Sequence, residues 1–127
     1  MALKPIEEWI RQANYDLQTA KSLFTTKRYI YTIFMCHLSI EKALKAIYTK
    51  KLKEVPLKTR NLLYLVEKIK LKLPEALYDF IFNLNRVSIP TRYPDDLQRM
   101  LKDYNEIKVK GILIKSEEVL KWIKTRL

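Results

Sequence analysis

Twenty-four consecutive residues, Tyr29 to Leu52, contain neither Gly nor Pro. Within them Ile30, Ile33, Phe34, Ile40, Leu44 and Ile47 recur at spacings of three and four, which gathers them on one wide side of an α-helix. So broad an apolar face has to be covered by other helices, and the spacing predicts the middle member of a helical bundle. Past the midpoint Glu41, Lys42 and Lys45 appear, and after Ala46 the polar positions are mostly lysine. One helix supplies both core and charge.

The remaining chain is compatible only with more helices. One Gly and five Pro leave little turn chemistry for hairpins, and strand-like alternation is scarce. A length of 127 residues is that of one domain with a real core. Residues 1–127 are therefore expected to form a single all-α domain, an antiparallel four-helix bundle core with one or two extra short helices. A first helix begins near Pro5, with Glu7 and Glu8 favourably placed against its dipole and with Trp9, Ala13, Leu17, Ala20 and Phe24 inward. The short connection Thr25 to Arg28 makes it an antiparallel neighbour of the central helix.

A loop containing Pro56 and Thr59 leads into a short third helix carrying Leu62, Leu65, Val66 and Ile69, with Thr59 a plausible cap. A fourth runs from about Pro74 to Val87, with Asn83 and Asn85 as candidate polar contacts. Ser88 to Asp96 contains two prolines and is expected to be non-helical. Asp95 or Asp96 then starts a short helix through about Tyr104. A last helix from about Asn105 holds Val109, Ile112, Leu113, Val119, Leu120, Ile123 and Leu127 in period, with Gly111 a weak point costing about 1 kcal/mol against Ala.

A single cysteine excludes an internal disulfide, and neither a secretory leader nor an apolar run of membrane-spanning length is legible. The expectation is a soluble cytoplasmic protein. The formal charge of +11 is unevenly spread: between Lys42 and Leu73 ten Lys or Arg face only Glu54 and Glu67. A phosphate-binding surface and a heat-adapted, lysine-rich exterior both account for that excess.

Few residues are candidates for chemistry. His37, the sole histidine, lies four residues before Glu41, so imidazole and carboxylate share a helix face. Cys36 points about 100° away, and no set of metal ligands is apparent; a hydrogen-bonded structural role for His37 is favoured over catalysis or metal binding. No cofactor is called for. Glu41 and Lys45 make a favourable helix-face ion pair, worth about 0.3 to 0.5 kcal/mol if exposed. Lys42 and Lys45, three apart, could grip successive phosphates. Asp16 could reach a neighbouring helix, although a solvated carboxylate is the commoner case. Arg92, Tyr93, Pro94 and Asp95 combine a forked cation, an aromatic plane, a rigid turn and a carboxylate, a set that suits a nucleotide or an internal clamp.

Taken together, Ala13, Asp16, Leu17 and Ala20, the run Phe34-Met-Cys-His-Leu-Ser-Ile-Glu-Lys-Ala-Leu-Lys-Ala46, the run Lys58-Thr-Arg-Asn-Leu-Leu-Tyr-Leu65 and the run Ile89-Pro-Thr-Arg-Tyr-Pro-Asp95 resemble the HEPN domain, in its small, free-standing prokaryotic branch. The resemblance implies an antiparallel helical bundle that forms a homodimer and has a nucleotide-binding role. It also implies a minimal nucleotidyltransferase as partner, many such pairs behaving as toxin and antitoxin. Ribonuclease members of that family carry an Arg followed after four to six residues by a His. This chain lacks that motif, because His37 precedes Arg86 and Arg92 and stands too far after Arg28; Arg60 also occupies a position where similar proteins often have His before Asn-Leu. Loss of an imidazole general base typically removes a factor of about 10² to 10⁴ in rate.

The leading expectation is thus a protein with no catalytic residue that binds a nucleotide or RNA phosphate through Lys42, Lys45, Arg92 and Tyr93, with Asp16, His37, Glu41 and Asp95 in support. A metal-independent ribonuclease toxin with a non-standard site is the first alternative. A structural protein that docks an acidic partner is the second.

Overall fold

The computed structural model describes residues 3–127. Its helices are α1 (Ile6–Thr25), α2 (Tyr29–Leu52), α3 (Leu62–Lys68), α4 (Glu75–Arg92), α5 (Leu97–Asp103) and α6 (Glu106–Lys124), and among the described residues there is no strand. α1, α2, α4 and α6 are the four long members. α2 is the axis, since it touches each of the other five.

The reason lies in its side chains. Ile33, Cys36, Ile40, Ala43, Leu44 and Ala46 are wholly buried, and Ile47 and Tyr48 nearly so. At about 1.5 to 3 kcal/mol for each large apolar side chain, this helix contributes more to the core than its neighbours can. Leu62, Leu65, Ile81, Leu84, Val109, Val119, Leu120 and Ile123 close over it from α3, α4 and α6. α1 approaches through small residues: Ala13 and Ala20 are fully buried, and the buried Ser39 hydroxyl donates to the Ala13 carbonyl oxygen at 2.7 Å.

Helix ends follow local chemistry. Asn61, not Thr59, caps α3, its side-chain oxygen accepting from the amides of Leu63 and Tyr64, while Thr59 supports the turn by accepting from the Asn61 amide. Asp96 and Asn105 cap α5 and α6 in the same way. With one glycine in the chain, the left-handed positions after α1, α2 and α3 fall to Lys27, Lys53 and Lys70.

One element departs from expectation. α4 does not stop at Val87 but continues through Pro90 to Arg92. Pro90 cannot donate to the Arg86 carbonyl, yet the flanking hydroxyls keep the turn closed: Ser88 donates to the Asn85 carbonyl at 3.0 Å, and Thr91 to those of Val87 at 2.8 Å and Ser88 at 3.2 Å. Ser88 and Thr91 are buried against the bundle, so packing holds a helical turn that composition argues against. The extension delivers Arg92 to the site.

Candidate phosphate-binding cleft

Four residues of α2, Phe34, His37, Glu41 and Lys45, share one helix face through their spacings of three and four. At its centre Glu41 is only 6% exposed, and its Oε2 accepts from Lys45 Nζ at 3.0 Å. The other oxygen lies 3.8 Å from the Arg60 guanidinium and 3.9 Å from His37 Nδ1, and makes no hydrogen bond. The Glu41–Lys45 pair legible in the spacing is therefore interior, with Lys45 8% exposed. Burial changes its meaning, because removing one partner of a buried pair leaves an uncompensated charge.

Phe34 is the platform for two cations. The Arg92 guanidinium lies over its ring at 4.5 Å from the centroid, and Arg60 approaches the same ring at 5.9 Å. Arg92 also contacts His37 Nδ1 at 3.5 Å, and its Nε is buried without a partner. Among the described residues no carboxylate stands within ion-pair distance of Arg92. Burial and, next, the like charge of Arg60 lower its pKa, which leaves an arginine charged at any ordinary pH.

His37 is fully buried, and its Nε2 has no hydrogen-bond partner. Burial, reinforced by the facing Arg92 charge, lowers its pKa to about 4. The imidazole is neutral at pH 7. Its hydrogen-bonding capacity is directed to Arg92 rather than Glu41, whose 3.9 Å separation is too long for a hydrogen bond.

Two clefts open on this cluster. One, of about 210 Å³, is lined by Arg60, Asn61, Asn85, Ser88, Ile89 and Arg92; the other, of about 200 Å³, by Glu41, Lys45, Lys58, Thr59 and Arg60. Arg60 is common to both. Asn85 fixes the first wall: its side-chain oxygen accepts from the Leu62 amide at 2.9 Å and its amide donates to Asn61 Oδ1 at 3.2 Å, which pins α3 to α4. Lys45, Lys58, Arg60 and Arg92 thus surround a single carboxylate, an arrangement suited to an oxyanion.

The other residues singled out in the sequence lie around this centre. Lys42 turns away from Lys45 and pairs with Asp16 at 2.8 Å across α1 and α2, so the two lysines serve different acids and Lys42 lines neither cleft. Asp16, expected in solvent, is 5% exposed, because its place one turn from Ala13 and Ala20 puts it on the α2-facing side. Tyr93 is 77% exposed and lines, with Asp95, a separate cleft at the end of α4. Asn85, a candidate polar contact in the sequence, makes two such contacts, whereas Lys58, Arg60 and Asn61 as site residues and the platform role of Phe34 were missed by reasoning from sequence. The charge excess from Lys42 to Leu73 was the available signal for Lys58 and Arg60; Phe34, on an apolar stripe, carried none. Among the described residues no group of three or more His, Cys, Asp or Glu side chains is placed to hold a metal ion.

An all-helical bundle with paired guanidinium groups at its corner defines the class. A family model for the HEPN domain matches residues 6–126, and the chain belongs to that family. Among solved structures it is similar to TT1696 from Thermus thermophilus, with 22% identity, a TM-score of 0.83 and coverage of 96% of this chain and 98% of the other. It is also similar to ST0689, described as an archaeal HEPN homologue, with 24% identity, a TM-score of 0.75 and coverage of 98% of each chain. None of the functionally curated proteins matches it.

Proposed function

We propose that the protein binds the phosphate of a nucleotide or of RNA in the cleft between Arg60 and Arg92, with Lys45 and Lys58 adding positive charge at its neighbour. The observation that carries this reading is the position of Arg92, stacked on Phe34 at 4.5 Å, lining a cleft, and with no carboxylate within ion-pair distance among the described residues. A planar guanidinium held by a ring is pre-organised for bidentate contact to phosphate. Tyr93 offers a stacking surface on the adjoining cleft, while Lys42, neutralised by Asp16, takes no part in the contact.

The contact of Arg92 with His37 favours a second reading, cleavage of RNA, since it brings together in space a pair that the sequence keeps apart. Against it stands the complete burial of His37. A neutral imidazole with no open face cannot pass a proton to a leaving group. Binding is the better account. As a HEPN protein the chain is further proposed to form a homodimer and to pair with a minimal nucleotidyltransferase in the cytoplasm, in a toxin–antitoxin-like system. Exposed Tyr78 and Phe82 on α4, and Ile107 and Ile114 on α6, supply apolar surface for such contacts. Among the described residues no helix is long and apolar enough to cross a membrane.

Titration of labelled single-stranded RNA over a salt series tests the central claim. Arg92→Ala is expected to weaken binding and to reduce the slope of log K against log salt by roughly 0.7, the share of one phosphate contact on a single strand. Wild-type affinity that ignores salt overturns the reading, and RNA cleavage abolished by both Arg92→Ala and His37→Ala would establish the enzyme instead.

A further inference from the structure

A larger cleft of about 480 Å³ lies beside the cationic one, between the end of α4 and α5, and its lining includes Ile89, Pro90, Tyr93, Asp95, Met100 and Asp103. Ile89 is a wall of both clefts. Arg92 and Tyr93 are consecutive at the end of α4, and each lines one of the two clefts. We infer that the second cleft is the nucleoside half of the same site, and that it selects a nucleotide whose base carries an amino group where adenine and cytosine do and uracil has a carbonyl. This rests on the phosphate reading above.

Three features carry the assignment. The first is size and surface: the cleft has the volume of a small-ligand site, and Ile89, Pro90, Met100 and the exposed Tyr93 ring give a base apolar and aromatic faces to lie on. The second is the chemistry of its acids. Asp96 is occupied in capping α5 through the Arg99 amide, whereas Asp95 and Asp103 are exposed and form no ion pair. Carboxylates only accept hydrogen bonds, so they match the amino group of adenine or cytosine and leave the corresponding carbonyl of uracil facing an acceptor. The third is polarity. Arg99 is the one cation in that lining, against three aspartates, so phosphate is driven to the Arg60–Arg92 side.

Calorimetric titration of the full chain with AMP, CMP, UMP and ribose 5-phosphate tests this. AMP and CMP are expected to bind roughly tenfold tighter than UMP, the discrimination of one well-made base contact. Asp95→Ala combined with Asp103→Ala should bring the three to parity, with any gain in phosphate affinity from the lost negative charge shared equally by ribose 5-phosphate, and Tyr93→Ala should weaken AMP more than ribose 5-phosphate. UMP binding as well as AMP, or a preference that survives the double replacement, overturns the nucleoside assignment. In those cases the phosphate reading still holds if Arg92→Ala abolishes ribose 5-phosphate binding. No binding of any of the four compounds overturns both.

Discussion

His37 shows how one side chain's surroundings decide its use. Its spacing from Glu41 invited a hydrogen bond, but the imidazole is enclosed, faces Arg60 and Arg92 as well as Glu41, and has its pKa depressed from 6.5 to about 4. The unfolded chain therefore takes up the proton first as pH falls. The stability from burying a neutral ring is complete above pH 6.5 and is lost between pH 6.5 and about 4, an effect of about 3 kcal/mol. Urea denaturation at a series of pH values should show that loss in the wild type and a flatter profile in His37→Gln over the same window. Gly111 is a simpler case. It sits exposed within α6, and a Cβ there would meet nothing within 4 Å, so Gly111→Ala is expected to raise stability by about 1 kcal/mol, visible as a higher Tm.

At the scale of elements, α4 is the informative one. Its last turn survives an internal proline because Ser88 and Thr91 hydroxyls bond to nearby carbonyls and their side chains are buried. Were the helix to end at Val87, Arg92 would leave the Phe34 ring. Pro90→Ala restores a donor for the Arg86 carbonyl and relieves the ring's crowding. It is expected to stabilise the fold by about 1 kcal/mol, less than the full cost of an interior proline because the present turn is already relaxed and the freer unfolded chain offsets part of the gain. Chemical denaturation of the variant measures this; a loss of stability would show that the proline is itself the better fit. α2 makes the complementary point, since its Phe34-His37-Glu41-Lys45 face was legible as a helix face, while which of those residues would be enclosed was not.

For the whole molecule, Glu41 couples folding to the proposed function. It is the one carboxylate among Lys45, Lys58, Arg60 and Arg92, and it is buried. Glu41→Gln should cost about 3 kcal/mol, since Lys45 would keep its burial and lose its partner. The same replacement removes the only negative charge of the cluster, so phosphate affinity should rise while Tm falls. Calorimetry of folding and of phosphate binding on one variant reads both, and opposite signs are the expected result.

The helices, their order and the central place of α2 follow from apolar spacing and from the near absence of glycine, because a side chain's helical phase is set by its neighbours three and four positions away. Membership of the HEPN family was likewise legible in short runs of residues. The partners of charged groups were not. Lys42 and Lys45 look equivalent along the chain, yet one reaches Asp16 on α1 and the other stays on Glu41; Arg60 and Arg92, far apart in sequence, meet on one phenyl ring. Long flexible side chains choose among acids and rings delivered by different helices, and that choice depends on distance and desolvation, which only the packed bundle determines.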